Sequence, residues 1–190
     1  SLSMKLSICS LTLLLLASTG QAATHTLNGS GGAALPGLSW ATAGNWSPAA
    51  VPGSNDNAVV AATGLVDIRG SAFAGASEIQ DLAFTGATAV TLQNNSSSTP
   101  MVLSLNGGRG AGVPLISATG NVARTITGPG TNPTPQPLGL QLKASGVIDV
   151  ATNTLTISCI FSESGGARSL TKNGAGTWVL SGANTYTGGT

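Results

Sequence analysis

The last twenty-one residues of the chain, 170–190, constrain its fold more than any other feature. They read LTKNGAGTWVLSGANTYTGGT. Glycines bracket one short apolar strand around Trp178, and a polar stretch containing Tyr186 follows. A unit of this kind has an apolar face that it cannot bury alone, so it is stable only when it stacks against similar units. The sequence therefore predicts a stack of β-rungs, each rung being one turn of chain.

The composition favours the same class of fold. Charged residues make up 7% of the chain, against roughly 25% in ordinary globular domains, and 27 of the 190 residues are glycine. Disordered chains are poor in apolar residues and highly charged, whereas this chain is 41% hydrophobic. Short strands and glycine-rich turns are typical of β-rich architectures. We expect an all-β extracellular protein.

The N-terminus has the pattern of a secretory signal peptide. Lys5 precedes an apolar run over residues 6–17, and small residues follow at Gly20 and Ala22. The run is shorter than the ~20 residues that a membrane-spanning helix needs. We therefore assign residues 1–22 as a signal peptide cleaved after Ala22, with cleavage after Ala23 as the alternative.

Removal of the signal peptide would take Cys9 with it and leave Cys159 as the one cysteine, so no intrachain disulfide is expected. The remaining chain carries six basic and six acidic side chains. With zero net charge it has no electrostatic attraction for nucleic acid or for an anionic membrane. We expect no nucleic-acid partner and no membrane-spanning segment in the mature part.

Residues 23–62 are interpreted as a lead-in and an N-terminal cap. The segment from Thr24 to Leu38 is rich in small residues and looks loose. Trp40 and Trp46 follow, with turn-forming prolines after them. Bulky aromatic side chains at this point would cover the first rung, whose edge would otherwise be exposed. An ordinary buried tryptophan pair in a loop-rich domain is the alternative.

Residues 63–190 are predicted to form the solenoid rungs. Apolar residues alternate along several short runs, which indicates half-buried strands rather than helices. One face collects Met101, Leu103 and Leu105, and another collects Leu155, Ile157, Cys159 and Phe161. A proline-rich loop over 128–137 interrupts the rungs because proline has no amide to donate. The predicted strands are Ala58–Ala61, Leu65–Ile68, Glu78–Phe84, Ala87–Gln93, Met101–Leu105, Val122–Thr127, Leu138–Lys143, Val147–Val150, Thr154–Phe161 and Thr177–Leu180.

Within the final unit the residues divide by polarity. Leu170, Trp178 and Leu180 are expected to face the core, and Lys172 and Val179 to face away from it. The glycines at 174, 176, 182, 188 and 189 suit tight turns and corners, and Asn184 suits a turn or an amide ladder.

The spacing L-x-K-x-G-x-G-T-x-x-L-x-G-x-N-x-Y-x-G-x-T resembles the autotransporter-associated β-strand repeat, also called the passenger-associated transport repeat. It covers about a ninth of the chain. Trp178 departs from the pattern, because the family usually has leucine there. The resemblance implies a right-handed parallel β-helix that continues into further repeats, in some proteins with a C-terminal outer-membrane β-barrel. We therefore expect this chain to be the front part of a longer protein.

The sequence offers few residues for catalysis. His25 is the single histidine, so a histidine-rich metal site is excluded and a Ser-His-Asp arrangement is not expected. Cys159 lies on an apolar strand face and is interpreted as a small buried hydrophobe. The segment 107–112 is rich in glycine, but no helix or aspartate follows to make it a phosphate or Ca²⁺ loop. We predict no catalytic, cofactor-binding or metal-binding residues, and no cofactor.

The carboxylates are the candidates for glycosidase or lyase chemistry. Glu78 and Asp81, three residues apart on one predicted strand, would lie on opposite faces. Stacking could bring Asp67 or Asp149 close to a basic residue, as a β-helical polysaccharide lyase would require; the candidate bases are Arg69, Arg124 and Lys143.

The sequence and the resemblance together predict a non-catalytic passenger or stalk segment, structural or adhesive, secreted or displayed on the surface of a Gram-negative-type bacterium. Its expected partners are downstream repeats of the same chain and, where it is adhesive, a surface glycan or matrix ligand. A β-helical carbohydrate-active enzyme or glycan-binding module is the alternative.

Overall fold

A computed structural model describes residues 22–29, 38–68, 76–96, 98–107, 112–129 and 136–190. Apart from one 3₁₀ turn at Ala43–Asn45, the regular structure of these residues consists of β-strands. The strands are β1 Thr24–Leu27, β2 Leu38–Ser39, β3 Trp46–Ser47, β4 Asn57–Val60, β5 Gly64–Asp67, β6 Ala76–Ile79, β7 Asp81–Phe84, β8 Val90–Asn94, β9 Met101–Leu105, β10 Ile116–Ala118, β11 Arg124–Pro129, β12 Leu138–Leu142, β13 Gly146–Val150, β14 Thr154–Ile157, β15 Ile160–Glu163, β16 Leu170–Asn173 and β17 Thr177–Leu180.

The strands form three sheets that the chain visits in turn. The seven-stranded sheet has the order β16-β13-β10-β7-β4-β1-β3, the six-stranded sheet β17-β14-β11-β8-β5-β2, and the four-stranded sheet β15-β12-β9-β6. Every pairing is parallel except that of β1 with β3. This is a three-sided parallel β-helix, which confirms the predicted fold class. The right-handed sense stays a prediction, in line with the general preference of parallel crossovers.

The core consists of apolar columns that run from rung to rung. On the seven-stranded sheet Leu82, Ile116 and Ile148 are in register and fully or almost fully buried. The six-stranded sheet contributes the column Val66, Leu92, Ile126 and Ile157, and the four-stranded sheet contributes Leu103, Leu140 and Phe161. Each such side chain stabilises the stack by about 1.5–3 kcal/mol relative to exposure. The core predicted from the alternation is therefore confirmed.

Two predicted strands are broken by corners. The predicted strand Thr154–Phe161 is two strands, β14 and β15, separated by Ser158 and Cys159. Cys159 and Phe161 remain buried, because the alternation of buried and exposed residues continues around the corner. The periodicity therefore could not reveal the turn.

The predicted strand Glu78–Phe84 is broken at Gln80 into β6 and β7, which belong to different sheets. The expectation that Glu78 and Asp81 occupy opposite faces of one strand is therefore wrong. Gln80 makes the corner, with its side-chain amide donating to the Gly107 carbonyl at 3.0 Å.

The N-terminal lead-in is more ordered than its composition suggested. Residues 24–27 form β1, which pairs in parallel with β4 and buries Leu27 completely. The short strands β2, β3 and β10 were also not predicted, because with two or three residues each they are too short for a period to be visible. Residues 1–21, 108–111 and 130–135 lie outside the described residues, and with them most of the predicted signal peptide and parts of the glycine-rich segment 107–112 and of the predicted proline-rich loop 128–137.

Candidate functional site: the final rung and the outer faces

Residues 170–190 wind one complete rung onto the β-helix. β16 pairs with β13, so that Leu170 lies opposite Gly146, and β17 pairs with β14. On the third side the Thr185 amide donates to the Phe161 carbonyl at 2.8 Å. The Tyr186 ring meets the Phe161 ring edge to face, with the centroids 6.2 Å apart. The glycine-punctuated unit therefore has the same three sides as the rung before it.

Two glycines of this rung allow it to approach the preceding one closely. Gly174 has a φ of +77°, and a Cβ there would lie 2.2 Å from the Val150 carbonyl oxygen. A Cβ on Gly182 would lie 2.1 Å from the Cys159 carbonyl oxygen. Because both obstacles are backbone atoms, they cannot move aside as a flexible side chain could. The glycine spacing of the motif thus follows from rung-to-rung contact.

The side chains of the rung follow the predicted polarity with one exception. Leu170 is buried, Trp178 and Leu180 pack against the core, and Val179 is exposed. Lys172 was expected to face away from the core, but its register partner is the buried Ile148. That expectation is wrong, because residues two apart share a strand face. The Lys172 ammonium instead donates to the Gly174 carbonyl at 2.7 Å and stays exposed.

A comparison with known families agrees with this geometry. Residues 170–190 match the family model of the passenger-associated-transport-repeat. The final rung is a passenger-associated transport repeat. Such repeats belong to autotransporter passengers, which are secreted or displayed at the cell surface. No curated protein and no solved structure matches the chain. In the described part of the chain, no helix has the length and apolar character to cross a bilayer.

Arg124, considered above as a possible lyase base, lies inside the β-helix. It is 1% exposed and pairs in register with the core residues Val90 and Leu155. Its guanidinium donates to backbone carbonyls of two adjacent rungs: Gly86 (Nη2), Thr88 (Nη1, 2.9 Å), Thr119 (Nη2, 3.3 Å) and Ala123 (Nη1, 3.3 Å). Burial lowers the pKa of the guanidinium from its ordinary value. Arg124 therefore binds two corners together rather than facing a substrate.

His25 links the first strand to the loop that follows the tryptophans. Its Nδ1 lies 2.9 Å from the Ala50 carbonyl, and its Nε2 lies 3.5 Å from Asp56 Oδ2. The same Asp56 oxygen accepts the Gly53 amide at 2.9 Å. With His25 only 6% exposed, these contacts hold the loop against β1. The residue that sequence analysis placed in a loose segment thus has a structural role.

Two other carboxylates are also engaged. Glu78 forms an ion pair with Lys143, whose hydrogen bond lowers the pKa of Glu78. Glu163 accepts the Thr187 hydroxyl at 2.7 Å and the Arg168 amide at 2.7 Å, and the Thr187 contact lowers its pKa. Lys143 is therefore paired with Glu78, and Arg69 lies outside the described residues. Among the described residues, no cluster of three or more His, Cys, Asp or Glu could hold a metal ion.

An apolar groove of about 400 Å³ runs along the outside of the four-stranded sheet. Gly139 forms its floor, and its register partners Val102 and Ile160 form the walls. Cys159 borders the groove but is 2% exposed, and burial raises the pKa of its thiol to about 12. A thiol with so high a pKa is a poor nucleophile at neutral pH. This agrees with the interpretation of Cys159 as a buried hydrophobe.

The tryptophan segment lies at the N-terminal end of the stack. The Trp40 and Trp46 rings meet edge to face with centroids 4.7 Å apart, and Trp46 Nε1 donates to the Trp40 carbonyl at 2.7 Å. β3, which contains Trp46, pairs antiparallel with β1 at the end of the seven-stranded sheet.

Proposed function

We propose that this chain is a non-catalytic passenger segment of an autotransporter-like protein, with a structural or adhesive role outside the cell. One observation carries the proposal: the passenger-associated transport repeat forms a rung whose three sides continue those of the rungs before it. Each rung contacts only its neighbours, so the architecture extends in one direction and suits a stalk or a display surface.

The chemistry of the described side chains supports a structural role. Glu78, Glu163 and Asp56 hold loops and corners together through the contacts given above. Cys159 is buried with a raised pKa, and Arg124 is occupied by backbone carbonyls. These side chains stabilise the stack of rungs. We expect charged and polar side chains to have such structural roles in a rigid surface protein that carries out no catalysis.

The N-terminal segment fits a cap in this proposal. The antiparallel strand β3 pairs alongside β1, the first parallel strand, and so blocks the addition of a further parallel strand at that edge. The buried tryptophan pair adds apolar cover at the same end. We further propose that residues 1–22 direct export. Further repeats C-terminal to residue 190, with or without an outer-membrane barrel, would anchor the passenger segment to the cell.

Antibody labelling of intact cells tests the proposal. Cells that express the whole protein should be labelled by antibodies against residues 38–190 without permeabilisation, and external protease should remove the label. A variant with Leu13→Arg and Leu15→Arg in the predicted export signal is the control, and it should retain the protein inside. Labelling that appears only after permeabilisation would contradict the surface location. Cleavage of a polysaccharide by the purified protein would favour the enzyme alternative instead.

A further inference from the structure

A row of threonines crosses the outer face of the six-stranded sheet. Thr91, Thr125 and Thr156 are in register on three successive rungs. Neighbouring strands lie about 4.8 Å apart, so the three hydroxyls repeat at that spacing along the stack. All three side chains are half-buried, with the strand residues on either side of each pointing into the core.

Two flanking rows widen the array. Thr154 and Thr177 are in register on one side. On the other side, the Ser158 amide donates to Ile126 and the Ser181 amide to Ile157, which continues the pairing beyond β14 and β17. This brings Thr127, Ser158 and Ser181 into line. Because alternate residues of a strand are about 6.6 Å apart, the hydroxyls form a two-dimensional grid.

The hydroxyl array is defined here as Thr91, Thr125, Thr127, Thr154, Thr156, Ser158, Thr177 and Ser181. Among the described residues, none of these side-chain oxygens has a hydrogen-bond partner in the protein. The array contains no charged side chain. Asp67, on the same outer face one rung before Thr91, is 1% exposed and accepts the Asn95 amide at 3.0 Å, whereas Asp149 and Glu78, on the outer faces of the other two sheets, are less buried. Ordered, unoccupied hydroxyls on a rigid sheet can donate and accept hydrogen bonds at fixed positions.

We propose that the hydroxyl array binds a neutral polysaccharide chain. An uncharged partner rich in hydroxyl groups matches the array, because each contact is a neutral hydrogen bond that both partners can donate or accept. Anionic partners such as nucleic acid or acidic glycans need basic side chains, which the array lacks. Single contacts of this kind are weak, but a polymer lying along the stack meets a threonine of the central row on three successive rungs, between Leu65 on the rung before and Val179 on the rung after, so the contacts add.

This inference rests on the proposed function in one respect only: the hydroxyl array must be exposed outside the cell. It deepens the adhesive alternative by assigning a surface and a ligand class. A stalk without adhesion would leave the proposed function intact, so the two ideas fail separately.

Retention on insoluble polysaccharides tests the array. The purified whole chain is mixed with cellulose, chitin and starch granules, and the bound fraction is measured against protein concentration at low and high salt. We expect saturable binding to at least one of the three, unchanged by salt because no charges take part. The double variant Thr125→Val/Thr156→Val should bind about tenfold more weakly, since two hydrogen bonds are lost while shape and β-branching are kept.

The matched control is Thr26→Val/Thr171→Val. These two threonines lie on the outer face of the seven-stranded sheet, away from the array. The control should bind as tightly as the unmodified chain. Both double variants should have the circular dichroism spectrum and the melting temperature of the unmodified chain. The inference is overturned if the chain binds none of the three polysaccharides, if both double variants bind equally well, or if binding disappears in high salt.

Discussion

Replacing Arg124 with methionine should destabilise the protein by about 2–4 kcal/mol. Methionine keeps an unbranched apolar stem in the core column, but the carbonyls of Gly86, Thr88 and Thr119 lose their donor. A buried acceptor left without a partner costs about 1–3 kcal/mol. The Gly86 contact is fully buried, so water cannot easily replace it. Urea unfolding of the two proteins would measure the difference.

Arg168→Met is the matched control for this substitution. Arg168 also donates to backbone carbonyls, those of Ser164 and Gly165, but at 3.2 Å and in an exposed turn. Water can replace such contacts, so we expect a change of less than about 1 kcal/mol. Equal effects of the two substitutions would show that the interior position of Arg124 has no special importance.

Replacing Gly174 with alanine should detach the final rung from the β-helix. The positive φ and the 2.2 Å approach to the Val150 carbonyl both oppose a side chain there. Strain and overpacking together should cost about 2–4 kcal/mol, which the rung can avoid by separating locally from the preceding rung. Hydrogen exchange should therefore accelerate at the amides of Gly176, Thr177 and Ser181, which bond to the preceding rung.

Gly189→Ala is the control within the same repeat. A Cβ at this position meets no atom within 4 Å, and the φ of Gly189 is not in the left-handed region. Protection at the three amides should be unchanged. If Gly174→Ala leaves their exchange as slow as Gly189→Ala does, the close packing described for the final rung is wrong.

The sequence predicted the stacking because its clearest signals are local. The glycines of residues 170–190 and the alternation at Met101, Leu103 and Leu105 both report on neighbours within a few residues. The in-register core columns then follow from parallel pairing, since every rung presents the same face inward. The assignment of the repeat was also possible from its spacing alone.

The remaining features depend on contacts between distant residues. Ser158 and Cys159 turn a corner without breaking the alternation, and β1 is held by β4 rather than by its own propensity. Arg124 shares its strand face with Ile126, so the alternation already placed a charge in the core column. The burial of Arg124 could therefore have been predicted from the sequence. The carbonyls that receive the guanidinium come from two turns, however, and only the fold brings them together.

A cysteine cross-link between the last two rungs tests the central claim, that the passenger-associated transport repeat stacks in register as a rung of the β-helix. In a Cys159→Ser background, Thr156→Cys and Val179→Cys would place two cysteines on paired positions of β14 and β17. Strands about 4.8 Å apart are within reach of a disulfide. The pair Thr156→Cys and Thr171→Cys, on different sheets, is the control. We predict rapid intramolecular oxidation of the first pair and none of the second; similar oxidation of both pairs, or of neither, would contradict the stacked rung.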